Sequence, residues 1–138
     1  MPVEIHDGRD YLRPLLRALD GGAVVMSAAD GTGGGEELGR RLTRVVLDRP
    51  MAIPVGPVWL AYRSGAPLLT VHCYRNPEPG PLYVAEVGHE LVLDRAQTMD
   101  AVLQEGADRL ASWLDGVLRV HPGDWLFWDG YASGALLP

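Results

Sequence analysis

Asp30 heads a glycine-dense loop, Gly31-Thr32-Gly33-Gly34-Gly35, the stretch whose residue types best suit chemistry. Backbone N–H groups of successive glycines can hold an anionic oxygen, and the Asp30 carboxylate can accept from a hydroxyl. Asp30, Gly31, Thr32, Gly33 and Gly34 are therefore candidate substrate-binding residues, with Asp30 the candidate catalytic group. A surface loop capped by Asp30 is the plain alternative. The other titratable groups form no familiar centre. His6 and Asp10 are four positions apart and read as a surface residue and a helix N-cap. His72, His89 and His121 read as ordinary strand or helix-end histidines. No cluster has the spacing of metal ligands, so no metal and no other cofactor is expected. Cys73 lies in the apolar run 68–74 and is expected to be a buried structural thiol, with His72 on the opposite face of the strand. A small hydrolase using Asp30 and His72 has only residue types in its favour.

The elements that must position these residues follow from periodicity and turn chemistry. Leu12, Leu15, Leu16 and Leu19 share one face of a short helix over residues 11–19, stopped by Gly21-Gly22. Residues 23–28, Ala-Val-Val-Met-Ser-Ala, lack polar alternation and read as a strand buried on both faces. Beyond the glycine loop, residues 42–47 are a second strand candidate that ends at the turn Asp48-Arg49-Pro50. Pro57 begins and Gly65 ends a short helix. Residues 67–74 and 82–87 read as antiparallel strands joined through Asn76-Pro77-Glu78-Pro79-Gly80; Gly88 interrupts the second, which resumes over 89–93. The longest helix is expected from Thr98, as cap, to about Val120, weakened locally by Gly106 and Gly116. Residues 129–138 read as a loosely ordered tail.

At 138 residues the chain has the length of one domain, 1–138, and burial of roughly two thirds of its unfolded surface is within reach. Its net charge of −6 provides no basic stripe for phosphates, which argues against nucleic acid. No run approaches the ~18 apolar residues of a membrane span. The first residues carry neither a basic region nor an apolar core, so a cytoplasmic location is expected.

Four stretches then recur in a familiar order: residues 15–22 followed by Val24-Val25 and Ala29-Asp30; Ala52-Ile53-Pro54-Val55-Gly56-Pro57-Val58-Trp59-Leu60-Ala61; Ser64-Gly65-Ala66-Pro67-Leu68-Leu69 with Arg75 closing the strand; and His121-Pro122-Gly123-Asp124-Trp125-Leu126. Their order and spacing resemble the C-terminal half of the bacterial lipid A biosynthesis lauroyl/myristoyl acyltransferases, in the wider lysophospholipid acyltransferase superfamily. The resemblance implies an α/β fold with a mixed, largely antiparallel sheet flanked by helices, as in the C-terminal half of the glycerolipid acyltransferase fold. It also implies transfer of a fatty acyl group from an acyl thioester to a hydroxyl of a glycolipid or glycerolipid at the cytoplasmic membrane face. In that family a histidine acts as base, with an acidic residue five positions later. The motif belongs to the family's N-terminal half and is expected to be missing here.

By the same resemblance, Asp30 matches the acidic residue before the loop that contacts the acceptor, and Arg75 matches an arginine at a strand end. A solvated turn residue is the alternative for Arg75. Two departures weaken the match: Gly33 stands where the superfamily often has arginine, and Asp129-Gly130-Tyr131 stands where the family tends to place histidine and arginines. Without flanking basic residues, Trp125 and Trp128 read as core or interface packing rather than membrane anchors, and membrane contact is expected to be peripheral at most. The leading expectation is a truncated acyltransferase domain, completed by a homodimer or a partner chain. The alternative is a non-catalytic lipid-binding or assembly module that self-associates.

Overall fold

The computed structural model describes residues 12–28, 30 and 39–133. The fold is α/β, as expected, with antiparallel strands. Helix α1 (Leu12–Asp20) leads into residues 23–28, which have no regular secondary structure. Strands β1 (Arg41–Val46) and β2 (Arg49–Pro54) form one hairpin. Helix α2 (Gly56–Ser64) connects it to a second hairpin, β3 (Leu69–Arg75) with β4 (Tyr83–Glu90). Helix α3 (Met99–Val120), a 3₁₀ turn (Pro122–Asp124) and helix α4 (Trp128–Ser133) complete the described chain. Among the described residues the four strands make two separate two-stranded sheets.

The first hairpin is fixed by its turn. Leu47 and Asp48 have φ of 47° and 64°, the pair of positive values that a two-residue type I′ turn requires. A leucine there is unfavourable on its own. External bonds hold it: the Leu47 N–H donates to Asp115 Oδ1 at 2.7 Å, and the Tyr131 hydroxyl lies 2.8 Å from the carbonyls of both Val46 and Leu47. The turn therefore sits one residue earlier than the sequence reading put it, and Arg49-Pro50 belong to β2. Arg44 of β1 pairs with Asp108 and reaches the backbone and side-chain oxygens of Gln104, tying the hairpin to α3.

The core lies between this hairpin, α2 and α3. Met51, Ile53, Val55 and Val58 pack against the face of α3 that carries Val102, Leu103, Ala107, Leu110 and Leu114, a helical repeat of three and four. Helix α2 has Pro57 in its first turn and ends at Gly65, whose φ of 84° and bond to the Ala61 carbonyl form a left-handed cap. Thr98 caps α3 by accepting from the Ala101 N–H. Gly106 is no weak point. A Cβ there would stand 2.5 and 2.7 Å from the Val58 methyls, so the glycine is the notch that lets α2 and α3 meet.

Several expectations are corrected. Residues 23–28 are not a buried strand: they have no ladder partner among the described residues, and Val24 and Met26 are 78% and 83% exposed. An apolar run forms a buried strand only where neighbours bond its backbone and cover its faces. Strand β4 continues through Gly88 as one strand to Glu90, but its ladder is interrupted there as expected: Val87 faces Val71 and Glu90 faces Leu69, and a side chain at Gly88 would collide with Thr70 Oγ1. Cys73 is exposed, because alternation along β3 turns Thr70, His72 and Tyr74 inward and Leu69, Val71 and Cys73 outward. Residues 128–133 form α4 rather than a loose tail, and Tyr131 is buried in the core.

Candidate functional site

Between residues 23–28, β3 and α3 lies a cleft of about 660 Å³. Its walls are mainly apolar: Val25 and Met26 on one side, Leu69 and Val71 on another, Leu110 and Leu114 of α3 beneath. That volume is within the range of ~300–1,000 Å³ usual for small-molecule sites. Polar groups are few. Asp30 enters at one place; Thr70 and His72 come from β3; His121 and Asp124 follow the end of α3.

One of these groups is held by a neighbour. Asp30 Oδ2 accepts from Trp125 Nε1 at 2.9 Å, and Trp125 is itself only 8% exposed. The indole N–H satisfies one carboxylate lone pair and fixes the acid at the cleft without adding a charge. Trp125 is packed edge-on against Trp128 and Tyr131, with centroids 4.9 and 5.7 Å away, so this aromatic group is core packing.

His72 and His121 belong to a second aromatic group. Tyr74 stacks on His121 at 4.1 Å between centroids and on His72 at 5.5 Å; the two imidazoles are 5.5 Å apart, and Trp113 closes the group at 6.4 Å from His72. His72 Nε2 is 3.9 Å from Glu86 Oε2, too far for a hydrogen bond, and His72 Nδ1 is buried without a hydrogen-bond partner. Reading the histidines as unremarkable overlooked this grouping. The inward alternation of residues 70, 72 and 74 was the available signal. Nothing local placed His121 opposite, since that depends on how the end of α3 meets β3.

Of the candidate substrate-binding residues, Asp30 lines the cleft. Gly31, Thr32, Gly33 and Gly34 lie outside the described residues, as do His6 and Asp10. Arg75 is exposed at the end of β3 and is not part of the cleft wall. Asp30 and His72, paired earlier by residue type alone, do face the same cleft. The base-motif spacing occurs once, contrary to the expectation that it is missing: His89 and Asp94 are five positions apart. Neither lines the cleft, no bond joins them, and Asp94 is occupied by the Ala96 N–H at 3.0 Å and Gln97 Nε2 at 3.2 Å. That spacing forms a turn, not an acid–base pair. Among the described residues no group of His, Cys, Asp or Glu is gathered to hold a metal, and no helix is long and apolar enough to cross a membrane.

Fold and cleft together define an α/β domain with a ligand-sized, largely apolar site carrying carboxylate and imidazole groups. Residues 1–128 match the bacterial lipid A biosynthesis acyltransferase family, and the chain belongs to that family. No curated protein matches it.

Proposed function

We propose that this domain holds the fatty acyl chain during transfer from an acyl thioester to a hydroxyl of a glycolipid or glycerolipid. The observation that carries the reading is the apolar cleft of about 660 Å³ with its few polar groups gathered from Asp30, β3 and the end of α3. Each methylene buried there contributes about 0.8 kcal/mol, so apolar walls suffice to retain a chain. Asp30 accepts from the acceptor hydroxyl, beside the glycines that follow it, and Arg75 serves the acceptor's anionic groups. A partner chain supplies the base in this reading, which is supported by His72 lying too far from Glu86 for a hydrogen bond and having no other partner on Nδ1.

Val71 tests this reading, since it lines the cleft from the exposed face of β3 and a polar residue there leaves the core intact. Binding of a fluorescent long-chain acyl probe is expected to weaken by about tenfold in Val71→Asp, with the unfolding midpoint unchanged. Equal binding in the two proteins would sink the proposal. A second reading, a non-catalytic module that self-associates, is favoured by one observation: Val24, Met26, Leu69 and Val87 around the same cleft are all exposed. Light scattering that finds only monomer removes it.

A further inference from the structure

The charge inventory of the cleft deepens the acyl-chain reading, on which the following inference rests. Its walls contain two carboxylates, Asp30 and Asp124, and two imidazoles, His72 and His121. Among the described residues no arginine lines it, although the chain has 12 cationic side chains and all are arginine. The donor fixing Asp30 is the neutral indole of Trp125. The two carboxylates in the polar part of the cleft therefore have no arginine beside them to compensate their charge. A chain ending in a carboxylate meets repulsion there and also loses hydration. A chain ending in a hydroxyl or a thioester meets neither penalty.

We propose that this cleft selects its occupant by charge: it accepts a long apolar chain with an uncharged polar end and rejects one ending in a carboxylate. The aromatic side of the cleft adds a further acid rather than a cation: Glu86 on β4 is 3.9 Å from His72, and Tyr74 on β3, Trp113 of α3 and His121 complete that group. Asp124 of the 3₁₀ turn and Asp30 share the cleft, and Cys73 also lines it from the exposed face of β3. The unpartnered Nδ1 of His72 shows hydrogen-bonding capacity that the protein leaves unused.

The test is equilibrium binding of dodecanol and dodecanoate, each below its aggregation threshold, to the full chain at about pH 8, where the carboxylate probe is ionised. The alcohol is expected to bind about tenfold more tightly than the carboxylate. In Asp30→Asn/Asp124→Asn, and in Asp124→Asn alone should the double variant not fold, the gap is expected to narrow. Equal affinity for the two probes in the unaltered chain overturns charge selection while leaving the acyl cleft standing. A gap as wide in the variants overturns the role of the two acids, since the lower hydration cost of the alcohol then accounts for it. Binding of neither probe overturns the acyl-cleft reading and this inference together.

Discussion

The two hairpins use strands of similar length and similar apolar content, yet they meet different surroundings. In β2, Met51, Ala52 and Ile53 are buried in succession. In the other hairpin Leu69, Val71, Tyr83 and Val87 are exposed. Polar anchoring separates them. The first hairpin is bonded to α3 through Arg44 to Asp108 and Gln104, through Leu47 to Asp115, and to α4 through the Tyr131 hydroxyl. The second turns only its inner face to α3 and leaves its outer face beside the cleft. Apolar composition makes a strand able to be buried, but specific bonds from neighbouring elements decide which strand is.

The comparison breaks most plainly by truncating one apolar side chain in each hairpin. Ile53 is fully buried, and Ile53→Ala is expected to cost about 2–5 kcal/mol. Val87 is 61% exposed, and Val87→Ala should change stability by less than about 0.5 kcal/mol. Denaturant midpoints at constant m-value measure both. A large loss in Val87→Ala would show that the outer face is covered in solution.

The helix crossing under the first hairpin offers the next effect. Gly106→Ala places a methyl 2.5 Å from Val58 Cγ1 and 2.7 Å from Cγ2, inside a packed contact, and is expected to destabilise by about 1–3 kcal/mol. Val58→Ala in the same chain should recover part of that loss. Failure of the second substitution to help would place the strain elsewhere.

The anchor at Leu47 has a pH signature. The Arg119 hydrogen bond foremost, then the Leu47 N–H, holds the Asp115 carboxyl below its ordinary value of 3.8, against a smaller opposing effect of burial. A carboxyl whose folded value lies below its unfolded one adds stability above the unfolded value, and that contribution is lost as pH falls through the folded value. The midpoint of unfolding should therefore decline on acidification below about pH 5, with a shallower slope in Asp115→Asn. Parallel curves for the two proteins would mean that the turn does not depend on this charge. At the alkaline end the sign reverses for Tyr131. Burial pushes its phenol above the ordinary value of 10.0, so its contribution is present below that value and lost as pH rises past the folded one.

How much of this was legible depends on whether the deciding contact is local. Helix α2 was readable because Pro57 and Gly65 act within its own turns, and α3 because Thr98 and its repeat of leucines are self-contained. Asp30 could be singled out by its position before the glycines, but not its bond to Trp125, which lies 95 positions away. The exposure of residues 23–28 and of Cys73 was illegible for a related reason. Sequence reports that such residues would gain from burial, whereas the partner that buries them is a property of the assembled fold.

The smallest effect separates two residues that sequence treats alike. Gly106 and Gly116 sit in the same helix, and intrinsic propensity assigns each the same penalty against alanine. At Gly116 nothing lies within 4 Å of the position a Cβ would take, and the residue is exposed. Gly116→Ala should therefore stabilise the protein by up to about 1 kcal/mol, the conformational freedom removed from the unfolded chain being the source. Measured beside Gly106→Ala, it isolates propensity from packing on a single scaffold. If Gly116→Ala is destabilising instead, that face of α3 must be covered by a contact formed in solution. In that case the exposed surfaces here would include an interface.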